Sequence, residues 1–257
     1  MTESFGKVFL VGAGPGAPDL ITLRGAEVLK RADVVFHDAL VHPGTLAFAG
    51  RAEKVAVGKR CGQHSAAQRF INKRLIDAAR KHKVVVRLKG GDPLLFGRAQ
   101  EEITALQAAG IDYEIVPGVT AALGAAADTG VSLTQRGVAR SVVFVTPRIG
   151  QDEAPSTWAE SAAAADTAII YMGAGQAAHI AITLTAHGMA PDTPIAIVEN
   201  ATLPNVRRFF LRLSELGRAT EFGIAGPALI MLGAVLAGAV ADAADSRHSA
   251  EGSVLSA

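Results

Sequence analysis

VVVRLKGGDPLLFGRAQEE, residues 84–102, is the stretch whose reading decides the fold. Its first five residues form an apolar run rich in β-branched side chains, the composition of a buried strand. Gly90, Gly91, Asp92 and Pro93 end that run abruptly, and a helical pattern carrying Arg98, Glu101 and Glu102 follows. A strand that hands over to a helix across two glycines is the first half of a βα unit. Glycine leaves the main chain open to close approach, because no Cβ stands in the way. Proline removes one donor and fixes the turn. The stretch therefore brings bare backbone up to something, and the rest of the chain has to say what.

The same alternation recurs on both sides. Strands are predicted at 7–11, 33–38, 84–88, 113–116, 141–146, 167–172, 193–199 and 227–232, with helices at 22–32, 66–81, 98–109, 119–129, 175–187 and 213–219. This order predicts an α/β fold with mainly parallel sheets. The polar stretch SLTQRGVARS follows a complete helix, so the domain cut is placed there: an N-terminal α/β domain over 1–134 and a C-terminal α/β domain over 135–240. The small, polar end, 241–257, is expected to be a disordered tail, and 147–157 a loop.

With 257 residues, 49% of them hydrophobic, the chain has material for a substantial core. A net charge of +1 supplies no global attraction to nucleic acid or to a membrane. The single cysteine, Cys61, excludes a disulfide framework and fits a reducing compartment, so a cytoplasmic protein is expected. No signal peptide is visible, and the longest apolar run, 228–240, is short for a membrane span and reads as a buried strand with its flanks. Thirteen Lys or Arg lie between residues 51 and 98 against three acids. A solvated helix face explains most of them; an anionic partner is the sharper reading, although interleaved aromatics for stacking bases are missing. The histidines show no metal-ligand spacing, and no metal is expected.

In open α/β sheets ligands sit beyond the carboxyl ends of the strands. Those ends read GAGPG, HD, GGDP, PGVTAA, YMGAG and ENAT. The first, with Gly12, Gly14 and Ala17, fits the dinucleotide fingerprint, and Asp33 lies near where an acid for the ribose belongs. That fingerprint works by aiming free N–H groups at a pyrophosphate. Here Pro15 and Pro18 delete two donors, and Asp19, read as a helix cap, puts negative charge where phosphate would sit. A rigid loop against a ligand without phosphates fits better than a dinucleotide site or a ligand-free turn.

VGAGPGAPDLITLRGAEVLKRADVVFHDALV and VVVRLKGGDPLLFGRAQEE, with the VPGVTAA that follows, resemble the two signatures of the uroporphyrinogen-III C-methyltransferase family of tetrapyrrole methylases. The likeness covers roughly residues 5–237. It implies two α/β domains with a cofactor cleft between them, a homodimer, and S-adenosyl-L-methionine as methyl donor, leaving S-adenosyl-L-homocysteine. It also implies uroporphyrinogen III as substrate, methylated at C2 and C7 to precorrin-2 by way of precorrin-1, toward sirohaem or cobalamin. The family's cofactor contacts fall on Pro15, Gly90, Gly91, Asp92, Leu95, Thr120, Ala121, Met172, Ala201 and Ala228. Asp38 matches its proposed general base and Lys59 its proton donor. On this reading Asp92 balances positive charge on the cofactor. Arg24, Arg60, Arg98 and Arg136, beside the glycine motifs, are candidates for the substrate's carboxylates. The chain departs from the pattern at His37, Gln135, Pro147, Arg148 and Ala201. A sibling methylase acting on a later corrin precursor, on RNA or on protein is the alternative, and a non-enzymatic nucleotide-binding module a more distant one.

Overall fold

The computed structural model describes residues 5–57, 64–150, 154 and 156–254. The chain forms two compact units, Met1–Ala121 and Ala122–Ala257; the cut expected from sequence falls later, after residue 134.

The first unit contains β1 (Lys7–Gly12), α1 (Leu23–Lys30), β2 (Val34–His37), α2 (Pro43–Leu46), β3 (Glu53–Ala56), α3 (His64–Ala79), β4 (Val84–Lys89), α4 (Ala99–Ala108) and β5 (Tyr113–Val116). Its five strands lie in the order β3-β2-β4-β1-β5 and every pairing is parallel. Both faces are covered. Val8 and Leu10 of β1 pack with Ile71 and Leu75 of α3 and Ile103 and Leu106 of α4. Phe9 and Val11 point the other way, onto Val28 and Leu29 of α1. Two-sided burial is why the inner strands β1, β2 and β4 read as largely apolar runs. The order also makes a switch point: β1 and β4 are neighbours, but β1 connects onward to β2 on one side and β4 to β5 on the other. Ligands of open α/β sheets sit at such a place, and GAGPG and GGDP are the two loops that leave it.

The second unit contains α5 (Ala121–Thr129), β6 (Val142–Val145), α6 (Trp158–Ala164), β7 (Thr167–Tyr171), α7 (Ala177–Ala186), β8 (Pro194–Glu199), β9 (Arg207–Arg212), β10 (Ala228–Gly233) and α8 (Ala237–Val254). Its sheet runs β6-β7-β10-β8-β9. Only β6–β7 is parallel; β10 runs antiparallel to both β7 and β8, and β8 to β9. The mainly parallel arrangement expected is complete in the first sheet, and the second sheet is mixed. Two strands escaped the sequence reading, β3 and β9. Each is an edge strand with several exposed positions, so neither carries a continuous apolar run. Residues 213–222, read in part as a helix, wind as 3₁₀. Among the described residues α8 runs from Ala237 to Val254, through most of the stretch expected to be a tail. Its alanines have the highest helix propensity of any residue, which the polar composition concealed.

Candidate functional site

At the switch point three loops meet main chain to main chain. Ala13 N–H donates to the Lys89 carbonyl (2.8 Å), Gly14 N–H to Gly91 (3.3 Å), and Gly91 N–H back to Gly14 (2.8 Å). A Cβ on Gly12 would lie 2.6 Å from Gly118 Cα, and one on Gly118 would lie 2.3 Å from the Gly91 carbonyl oxygen. No side chain fits there, so these glycines are required by packing alone. Asp92 ties the junction: Oδ2 accepts from Gly118 N–H (2.9 Å) and Oδ1 from Leu94 N–H (2.8 Å). The role given to Asp92 from sequence was charge balance; the structure puts both of its oxygens on backbone donors, which makes it first a brace for the loop.

Gly90 and Gly91 differ from that packed set. A Cβ on Gly91 would have nothing nearer than Ala121 N at 3.9 Å and Thr120 Cα at 4.0 Å, so space forbids nothing; its φ of +66° is what calls for glycine. A Cβ on Gly90 would meet only Leu40, at 3.3 Å. Open main chain, with Pro15 following Gly14 and with half-buried Leu95, Thr120 and Ala121 in the adjoining loops, is a surface on which a ligand can lie. The geometry also rejects the dinucleotide alternative. The N–H groups of Ala13 and Gly14 are spent on β4 and its loop. Asp33 accepts from Lys83 N–H and Val84 N–H, pinning the amino ends of the strands, the far edge of the sheet from the glycines. Asp19 sits in a 3₁₀ turn, and the cap of α1 is Thr22, whose hydroxyl accepts from Gly25 N–H.

Beside the junction is a group of charges that the sequence reading missed. Arg87 and Lys89, two apart on β4, project from the same face, and both are buried. Between them lies Glu102 of α4, with no exposed surface. Glu102 Oε1 accepts from Arg87 Nε (3.0 Å), Lys89 Nζ (3.0 Å) and Gln68 Nε2 (3.1 Å), and Oε2 accepts from Lys89 (3.1 Å). Arg87 Nη2 donates to Asp38 Oδ1, at the tip of β2. Burial is the largest influence on Lys89 and, with the neighbouring Arg87, holds its ammonium below the usual lysine range despite Glu102. For Arg87 burial opposes the charge, but Asp38 and Glu102 outweigh it and push the guanidinium higher still. The signal was present in the sequence as two cations at i and i+2 in an otherwise apolar strand.

The arginines expected at the substrate are all exposed where they are described. Arg98 forks onto Glu101 (2.7 and 2.8 Å), Arg24 lies in the first turn of α1, and Arg136 lies in a turn closed by Gln135 and Ala139. Lys59, Arg60 and Cys61 lie outside the described residues. Much of the basic region is answered locally: Lys73 and Arg80 pair with Asp77, and Arg74 stacks on Phe36 and Phe70.

In the second unit the strand ends are strained. Met172, Asn200 and Thr202 have φ of 57°, 54° and 67°. For a β-branched residue such as Thr202 this conformation costs about 1–2 kcal/mol, and its N–H is held by Asp128 Oδ2 at 2.6 Å. Such strain gathers at functional sites. Met172 is exposed at the tip of β7, whereas Ala201 is buried and Ala228 half-buried. Glu199 organises this end. It accepts from Ala225 N–H (2.8 Å) and Gly226 N–H (2.6 Å) and pairs with Arg207, which in turn donates to the carbonyls of Phe222 and Gly223.

These features define a class: an α/β protein with a braced, glycine-lined ligand surface at the strand tips, unsuited to a pyrophosphate and flanked by an aspartate held by buried charges. Residues 7–217 match the model of the tetrapyrrole (corrin/porphyrin) methylases, and the chain belongs to that family. It is 48% identical over 231 residues to the uroporphyrinogen-III C-methyltransferase of Pseudomonas aeruginosa, covering 90% of this chain and 94% of that one. It is 46% identical over 231 residues to the siroheme synthase of Zymomonas mobilis, where 90% of this chain matches 49% of the longer one. The chain thus spans about half the length of the siroheme synthases it resembles. The crystal structure of uroporphyrin-III C-methyl transferase from Thermus thermophilus complexed with S-adenyl homocysteine superposes with a TM-score of 0.78 at 39% identity, covering 90% of this chain and 99% of that one.

Proposed function

We propose that this chain transfers methyl groups from S-adenosyl-L-methionine to C2 and C7 of uroporphyrinogen III, giving precorrin-2 by way of precorrin-1 for sirohaem or cobalamin synthesis. The observation that carries the proposal is the open main chain of Gly90 and Gly91 above a junction that admits no side chain, in a chain 48% identical to a methyltransferase of that name. S-adenosyl-L-methionine, when bound, supplies an electrophilic methyl group. The residues present fit it: the loop offers uncluttered backbone, and Asp92 places a carboxylate beside it for a cationic ligand. Gly90, Gly91, Asp92, Pro15, Leu95, Thr120 and Ala121 would hold the cofactor, with Met172, Ala201 and Ala228 supplying further contacts.

What the protein adds is alignment, since an in-line displacement gains much of its rate from fixed geometry. Asp38 accepts a proton from the tetrapyrrole as the new C–C bond forms, and Lys59 returns one elsewhere on the ring. Arg24, Arg60, Arg98 and Arg136 meet the substrate's carboxylates. We further read the protein as a cytoplasmic homodimer; no helix among the described residues is long and apolar enough to cross a membrane.

The test is anaerobic incubation with S-adenosyl-L-methionine and uroporphyrinogen III. A doubly methylated product supports the reading, and cofactor binding without methylation of this substrate points to the sibling methylase. Asp38→Asn is expected to bind cofactor normally and lose turnover; near-normal turnover would remove Asp38 as the base. Gel filtration at a monomer's volume would remove the homodimer.

A further inference from the structure

The reading of Asp38 as base leaves a question that the buried charges answer. An aspartate at a strand tip, 32% exposed, is free to swing, and a proton acceptor must point at its donor. Arg87 limits that freedom. Its guanidinium is committed on every side: Nε to Glu102, Nη1 to the carbonyls of Phe36 (3.4 Å) and Leu88 (3.2 Å), Nη2 to Asp38 Oδ1. It takes one carboxylate oxygen; among the described residues the other, Oδ2, has no partner. Glu102 is itself fixed by Lys89 and Gln68, and Gln68 by Asn72. The order of burial runs one way: Glu102, Arg87 and Lys89 have side chains at most 4% exposed, and only Asp38 reaches solvent.

We infer that Arg87 is a positioning residue for methyl transfer: it holds the Asp38 carboxylate in one orientation with Oδ2 presented outward, and Glu102 holds Arg87. The inference rests on the proposed role of Asp38 as proton acceptor. Formal charge supports it. Two cations and two carboxylates cancel while Asp38 is ionised. When Asp38 takes a proton the group is left with one excess positive charge, in a low-dielectric setting where charges act strongly. The ionisable groups around Asp38 are few among the described residues: Arg87 and Lys89 from β4, Glu102 from α4, His37 beside it, whose Nδ1 lies 3.1 Å from the Asp38 carbonyl, and Arg74 of α3 over the Phe36 ring.

The experiment uses the full chain with Arg87→Gln, Arg87→Lys and Asp38→Asn. It measures kcat and KM with uroporphyrinogen III, affinity for S-adenosyl-L-methionine by calorimetry, and the thermal melt. For Arg87→Gln, kcat falls at least about tenfold, within the range attributed to proton transfer by a positioned group, while KM and cofactor affinity stay within about twofold. Arg87→Lys restores the charge but not the fork, so kcat remains low. A kcat within about twofold of that of the unmodified protein, or a kcat loss that tracks lost cofactor affinity or a raised KM, makes Arg87 merely structural and overturns the inference. If Arg87→Gln does not melt cooperatively, Arg87→Lys decides: unaltered kcat overturns the inference, and lowered kcat with intact cofactor affinity upholds it. Normal turnover in Asp38→Asn overturns the base reading itself, whereas a dead Asp38→Asn with near-normal kcat in Arg87→Gln overturns only the positioning.

Discussion

Gly90→Ala separates a glycine kept for a ligand from one kept for the fold. The new methyl would lie 3.3 Å from Leu40 Cβ and 4.0 Å from Leu40 Cδ1, with nothing else within 4 Å. Leu40 is 65% exposed and can yield by a few tenths of an ångström. Gly90 does not have the positive φ of Gly91, so alanine there carries no left-handed strain, and the loss of unfolded-state freedom returns about 0.4–1 kcal/mol. Stability should therefore change by less than about 1 kcal/mol. The ligand has no such latitude. A methyl inserted into a close contact costs roughly 1–3 kcal/mol, which corresponds to about a fivefold to 150-fold weaker Kd for S-adenosyl-L-methionine. Calorimetric titration and a thermal melt on the same preparation read both quantities. Cofactor affinity unchanged within about twofold would refute the claim that the ligand rests on the Gly90 backbone. A melting point lowered as far as that of a junction glycine variant would refute the claim that Gly90 is free of packing duty.

Gly118→Ala is that comparison: its Cβ would lie 2.3 Å from the Gly91 oxygen and 2.8 Å from Gly12 Cα, so the junction must open, at about 2–3 kcal/mol and roughly 5–15 °C in Tm. Asp33→Ala removes the acceptor of Lys83 N–H and Val84 N–H and should cost about 1 kcal/mol while leaving cofactor affinity untouched; a large loss of affinity would restore the nucleotide reading. Glu199→Gln loses the charge that anchors residues 223–226 and should lower stability by about 2 kcal/mol, read by denaturant titration at neutral pH. Burial works against the Glu199 carboxylate, but the N–H groups of Gly226 and Ala225 together with Arg207 outweigh it, so it titrates below the usual glutamate range. Its contribution is thus complete above the unfolded pKa of about 4.3 and fades as pH falls through the folded value. The gap between the natural chain and Glu199→Gln should therefore narrow on acidification, and a gap that widens would contradict the assignment.

What the sequence disclosed, and what it withheld, follows from how local each cause is. β1, β4, β7, β8 and β10 were legible because burial on both faces leaves a continuous apolar run, a property of the strand alone. β3 and β9 were not, since an edge strand borrows its hydrogen bonds from a neighbour and keeps polar side chains. The direction of β10 was equally hidden. A run such as ALIML is the same whether its neighbours run with it or against it, and only the chain path through β8 and β9 sets the sense. The strand-tip glycines were legible because backbone freedom and missing donors are properties of Gly and Pro themselves. Asp92 shows the limit of that: the residue could be picked out, but its partners, Leu94 N–H and Gly118 N–H, lie partly on another loop.

The buried charges mark the other extreme. Nothing near Arg87 in the chain announces Glu102, because their meeting depends on which face of α4 packs on which face of β4. Yet half of the inference was available in advance. A strand buried on both sides that carries Arg and Lys two apart must place both on one face, and two adjacent buried cations cost several kcal/mol each unless paired. A buried carboxylate opposite was therefore required before any coordinates, and α4, which follows β4 and packs on its face, offered two. The structure chooses Glu102 and turns Glu101 out to Arg98. That choice extends the brace from the helix through Arg87 to Asp38, where the chemistry is proposed to occur.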